Sequence, residues 1–159
     1  MEFKTTEDVI RFAIQKEEAS VQFYQDLAVR MEDPATKIIF EILRQNELQH
    51  KSNLELELMK LGKTVAEQPY RISDEQDRYY IIEVDEEARK MSFTDALRMA
   101  VRKEKAAFVL FTELLAQTGD PQLRNVFLNL AEEEMRHIIQ LENEYNSIVS
   151  GKKKDHLSE

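Results

Sequence analysis

The tetrapeptide Glu47-Leu48-Gln49-His50 recurs 87 residues later as Glu134-Met135-Arg136-His137, and Glu17 and Glu104 stand at the same separation. In a helix, Glu-x-x-His places a carboxylate and an imidazole at i and i+3, on one face. A single copy carries little weight, because Glu is frequent and either side chain can simply be solvated. Two copies in register are more demanding. Residues 10–61 map onto 97–148 with one offset and no gap: Arg11, Ala13, Lys16, Glu17, Ala19, Leu27, Asp33, Pro34, Phe40, Leu43, Glu47, His50 and Leu54 recur as Arg98, Ala100, Lys103, Glu104, Ala106, Leu114, Asp120, Pro121, Phe127, Leu130, Glu134, His137 and Leu141. Two copies of so long a unit do not make a solenoid. They read as a duplicated helical hairpin that closes into one bundle with pseudo-twofold symmetry.

The hydrophobic pattern says the same. Ile10, Ala13, Glu17, Ser20, Tyr24, Leu27 and Met31 alternate steps of three and four, the seam of a bundle helix expected over Thr5–Met31. A second helix is expected from Pro34 to Leu61, with Asp33 as N-cap, Gly62 as stop, and Phe40, Leu43, Glu47, His50, Leu54, Glu57 and Leu61 in its seam. A third begins at Ser92 and carries Leu97, Ala100, Glu104, Ala107, Phe111 and Leu114. The fourth follows Asp120-Pro121, carries Phe127, Leu130, Glu134, His137, Leu141, Glu144 and Ile148, and is expected to fray near Ser150-Gly151. With only three Gly, three Pro and no Cys, composition favours an all-α domain and excludes disulfides, thiolate nucleophiles and Cys-ligated metal centres.

Residues 63–91 interrupt this regularity. The segment far exceeds the ordinary connection of about 4–6 residues and reads as a crossover along the bundle. Within it Tyr79–Val84 reads extended or irregular, and a short helix around Ser73–Tyr79 fits. The domain expected is therefore residues 1–150, with 151–159 as a disordered polar tail. A net charge of −9 disfavours nucleic acid, and the chain has no apolar signal region and no run of the ~18 apolar residues that spans a bilayer. A cytoplasmic protein that binds neither nucleic acid nor membrane is expected.

Helical geometry brings the six polar seam residues together. Glu17 lies 16 residues before Asp33, and Glu47 and His50 lie 14 and 17 after it. At about 1.5 Å per residue, antiparallel helices joined by a short turn place them within ~3 Å of one height. The same holds for Glu104, Glu134 and His137 about Asp120. A lone ionised carboxylate in a core costs several kcal/mol (~3–5) unless compensated. With no Lys or Arg read in the seams, two divalent cations would balance the four carboxylates, and carboxylate with imidazole suits iron, manganese or zinc. The alternative is a symmetric polar core in which the carboxylates are protonated or paired with the imidazoles. Tyr24 reads first as a core aromatic, since its counterpart is Phe111. Glu57 and Glu144, one heptad beyond the imidazoles, read as solvated positions or as the lining of a cation route. His156 and Lys152–Lys154 read as a solvated end.

Glu17 with Tyr24 seven residues on, Glu47-x-x-His50, Glu104 and Glu134-x-x-His137 together resemble the ferritin-like di-iron carboxylate superfamily. The run Glu17-Glu18-Ala19-Ser20-Val21-Gln22-Phe23-Tyr24-Gln25-Asp26-Leu27-Ala28 is similar to its rubrerythrin-type branch, and the resemblance covers residues from about 5 to 150. It implies a ferritin-like four-helix bundle of two repeated hairpins joined by a long crossover, holding two iron ions, with manganese or zinc as alternatives. It implies Glu47 and Glu134 as bridging ligands, Glu17 and Glu104 as terminal ones, one iron on each of His50 and His137, Tyr24 beside the ligands, and a homodimer. The activity implied couples Fe(II) oxidation to reduction of H2O2 or O2. An iron-binding ferroxidase without external substrate and a metal-stabilised helical module are the other readings. Two departures matter: Ala107 stands where peroxide-reducing rubrerythrins carry a further Glu, and no Cys is present to build their rubredoxin site. Electrons would then come from a separate donor protein or from added Fe(II).

Overall fold

The computed structural model describes residues 2–65 and 92–157, of which 152–157 by backbone alone. The expected extended stretch at 79–84, the short helix at 73–79 and most of the 63–91 crossover lie outside the described residues. What is described is four helices: α1 (Thr6–Arg30), α2 (Pro34–Lys60), α3 (Phe93–Gln117) and α4 (Pro121–Leu157). No strand occurs among the described residues.

The helix starts are fixed by side chains. Thr5 Oγ1 accepts from the Asp8 N–H at 3.1 Å while the Thr5 N–H donates to Asp8 Oδ2 at 3.1 Å, a reciprocal cap on α1. Asp33 accepts from the Thr36 N–H and Asp120 from the Leu123 N–H, each at 2.9 Å, just ahead of Pro34 and Pro121. These equivalent Asp-Pro devices close the 31–33 and 118–120 turns and fold α2 back along α1 and α4 back along α3. Ser92 caps α3 by accepting from the Asp95 N–H at 3.1 Å.

The helix ends differ from expectation in one place. Gly62 takes the left-handed conformation, φ 73°, and stops α2. Gly151 does not: α4 continues through it to Leu157, so residues 151–157 are helical rather than an irregular tail. Glycine weakens a helix by about 1 kcal/mol without ending it unless it turns left-handed. Gly62→Ala, with open space around its Cβ position, is expected to destabilise by about 1 kcal/mol through backbone strain alone. Gly151→Ala, at a helical position with the same open space, should not destabilise. Urea denaturation of the two variants checks the contrast.

Two apolar clusters fill the bundle. One joins the start of α1 to the ends of α2 and α3 and the start of α4, around Ile10, Leu54, Leu58, Phe111, Leu114 and Phe127. The other joins the end of α1 to the starts of α2 and α3 and the middle of α4, around Tyr24, Leu27, Phe40, Leu97, Ala100 and Leu141. The repeat survives in the packing: Tyr24 stacks on Phe40 at 6.2 Å and its counterpart Phe111 stacks on Phe127 at 6.3 Å. Each such residue, fully buried, contributes roughly 1.5–3 kcal/mol. Along α2 the seam drifts: Leu58 is buried, whereas Leu61 is 45% exposed. A straight helix of 3.6 residues per turn slips off a 3.5-residue repeat over two heptads. The same drift leaves Glu57 paired with Lys60 at 2.9 Å and Glu144 exposed. No helix among the described residues is long and apolar enough to cross a membrane.

Candidate metal centre

Between the two apolar clusters lies a polar layer. Glu17 from α1, Glu47 and His50 from α2 and Glu134 from α4 come together, all buried, with one donor atom from each within 4.8 Å of the others. Glu104 from α3 joins Glu134 and His137 from α4 in a second group of the same compactness. Glu134 thus belongs to both groups and Glu47 to the first alone. All six residues singled out from the repeat fall into this layer.

The atoms in it are of the kind that need a cation. Among the described residues, nine buried side-chain polar atoms lack a hydrogen-bond partner, and eight of them belong to these six residues: Glu17 Oε2, both oxygens of Glu47 and of Glu134, Glu104 Oε2, and Nδ1 of His50 and of His137. The ninth, Glu18 Oε2, forms an ion pair with Lys51 Nζ, whereas the atoms of the layer face mainly one another, His50 Nδ1 towards Glu134, Glu17 and Glu47 and His137 Nδ1 towards Glu134. Unpaired buried donors and acceptors are rare because each loses its hydration without return. Four carboxylates and two imidazoles, all aimed inward, fit two divalent ions with oxygen and nitrogen ligands.

The electrostatics report the same crowding. Burial, then repulsion from Glu134, Glu17 and Glu104, pushes the Glu47 pKa well above its ordinary value of 4.5. Burial and the neighbouring Glu134 likewise push Glu104 up. Burial would pull His50 down, but the Glu134 and Glu17 carboxylates outweigh it and raise it from 6.5 to about 11. Glu134 moves the other way: burial raises it, but the close approach of Glu104, His137 and His50 to its carboxylate brings it below 4.5. His50 Nδ1 lies 3.0 Å from Glu134 Oε1 and 3.7 Å from Glu17 Oε2. In this site a metal ion would take the place of the Nδ1 proton, and its charge would relieve the repulsion among the carboxylates.

Three neighbours shape the layer. Tyr24, fully buried, donates its hydroxyl to Glu104 Oε1 at 3.3 Å, so it touches the polar layer as well as packing in the core. Burial and the carboxylates raise its pKa well above 10, which keeps the phenol protonated as a donor. Glu133, one residue before Glu134 on α4, accepts from His50 Nε2 across the bundle at 2.7 Å. Lys103, beside Glu104, is only 2% exposed, and its Nζ donates to Ser20 Oγ at 2.9 Å. Its repeat counterpart Lys16 is buried too, with its Nζ 5.0 Å from the Phe12 ring centroid. The bundle therefore buries two lysines beside the layer, although the seams themselves contain no Lys or Arg. Neither residue is in a seam, yet each long side chain is buried where helices meet. Burial lowers the Lys103 pKa, and the carboxylates of Glu47, Glu17, Glu104 and Glu134 oppose that shift.

A family model for rubrerythrin matches residues 8–145. The chain belongs to the rubrerythrin family. The fold agrees with solved structures of low sequence identity. A hypothetical protein from Pyrococcus furiosus superposes with a TM-score of 0.61 at 20% identity, covering 92% of this chain and 91% of its own. A conserved hypothetical protein from Mycobacterium tuberculosis gives 0.61 at 14% identity, covering 85% of this chain and 92% of its own. No functionally curated protein matches the chain by sequence. For this rubrerythrin-family chain, the ferritin-like bundle is thus established by family, by helix order and by structural neighbours.

Proposed function

We propose that this rubrerythrin-family protein is a di-iron oxidoreductase that couples Fe(II) oxidation to reduction of H2O2 or O2. The observation that carries the proposal is the pair of buried carboxylate and imidazole groups joined by Glu134, whose inward-facing oxygens and nitrogens meet mainly one another. When bound, two Fe(II) ions would supply the two electrons that, with two protons, take H2O2 to two waters. The protein's own part is to hold the ligands and keep bulk water out. Tyr24 fixes the direction of the Glu104 carboxylate. The apolar clusters on both sides close the layer, leaving His137, 19% exposed by its side chain, as the ligand nearest solvent. A separate electron-donor protein belongs to the proposal. A homodimer belongs to it as well.

Ala107, buried where peroxide-reducing relatives place a Glu, favours a second reading: iron oxidation and handling without an external substrate. Anaerobic loading with two Fe(II) per chain, followed by stopped-flow mixing with H2O2 or O2, tests both. A fast oxidation phase that repeats when reductant is supplied supports the oxidoreductase. A single phase followed by accumulating ferric iron supports iron handling. Oxidation no faster than in buffer overturns both, and if metal is nonetheless bound it leaves a metal-stabilised helical module.

A further inference from the structure

The two ligand groups come from one repeated hairpin, yet they are unequal. The first gathers four residues, all buried, and the second three, with His137 half-buried. The difference continues behind the imidazoles. His50 donates from Nε2 to Glu133 at 2.7 Å, which fixes the ring and turns Nδ1 toward the carboxylates. No side chain among the described residues does this for His137. The repeat explains why: 87 residues before Glu133 stands Asn46, a neutral amide. A carboxylate behind a metal-binding imidazole sets its tautomer, raises its basicity and adds negative charge near the cation, and losing it typically weakens metal binding about 10–100-fold.

We infer that the two metal positions fill in order, the Glu17–Glu47–His50–Glu134 position first, and that Glu133 is the positioning residue that sets this order. The inference rests on the two-metal reading of the site and deepens it. The His137 position then holds the second, more weakly bound ion. It is the position from which metal exchanges.

Titration of the metal-free full-length protein with Zn(II), read by calorimetry against a competing chelator, tests this. The wild type is expected to bind two ions in two steps, the first at least about tenfold tighter. Glu133→Gln should weaken the first step about 10–100-fold and leave the second within a few-fold. Asn46→Glu, which offers His137 the missing carboxylate, should strengthen the second step. That gain is one that structural damage does not produce, and thermal melting of both metal-free variants checks that they fold. If the wild type binds no Zn(II), the two-metal reading itself fails. If it binds two ions with equal affinity, or Glu133→Gln leaves both steps unchanged, the reading stands and the assignment of order to Glu133 is overturned.

Discussion

Glu134→Gln is expected to weaken both metal positions at once, whereas Glu17→Gln and Glu104→Gln should each weaken one. Glu134 is the one side chain common to both ligand groups, and it is fully buried. It is also the carboxylate held below its ordinary pKa, by the close approach of Glu104, His137 and His50 against the pull of burial. A structural four-ligand site binds with roughly 10–16 kcal/mol, so one ligand is worth on the order of 3 kcal/mol, or about 100-fold in affinity. Losing a shared ligand applies that factor to each ion. Glutamine keeps the volume and one acceptor but cannot carry the charge, so the substitution tests ligation without opening a cavity. In Zn(II) titration against a competing chelator both steps of the variant should weaken about 100-fold, and Fe(II) oxidation should fall by a similar factor. Two ions bound with wild-type affinity would mean that Glu134 is not a ligand.

The seam rule finds Glu134 and its five companions because it asks which residues recur at 3.5-residue spacing toward the bundle axis. It finds their common height because short turns fix the phase of antiparallel helices. It misses residues that reach the layer by another route. Lys103 and Lys16 sit one position before Glu104 and Glu17, off the seam, where a short polar residue would face a groove. A four-carbon stem instead lies along apolar surface, and Lys103 ends on Ser20, the residue one turn beyond Glu17. The signal was in the repeat itself, since Lys-Glu recurs intact. Glu133 shows the opposite case: its repeat counterpart is Asn46, so the carboxylate behind His50 has no copy behind His137, and only the fold shows which imidazole it reaches. Composition predicts fraying near Ser150-Gly151, yet glycine alone does not end a helix: what ends α2 at Gly62 is positive φ, which Gly151 lacks.

Metal removal should lower the melting temperature, by more at pH 8 than at pH 6. Three groups set the sign. His50 has its pKa raised to about 11, so in the metal-free fold its contribution is complete below the unfolded value of about 6.5 and is lost as pH rises through about 11. Glu47 and Glu104 are also raised, chiefly by burial, so their contributions are present below 4.5 and decline as pH climbs through the higher folded values. Glu134 is lowered, so its contribution is lost only as pH falls below 4.5, outside the window compared. The metal-free bundle therefore loses stability from this layer as pH rises from 6 to 8. The loaded protein behaves oppositely, because the ion displaces those protons and binds more tightly as they become easier to remove. At free Zn(II) of about a thousand times Kd, binding stabilises by about 4 kcal/mol, and a domain of this size gains roughly 2–4 °C per kcal/mol. A gap of about 10 °C between Zn(II)-loaded and chelator-treated protein is expected at pH 8, narrowing at pH 6. Calorimetry in buffers of different ionisation enthalpy should register the same protons leaving as the ion binds. A gap that stays constant or widens toward pH 6 would mean that the ion does not bind where these protons are held.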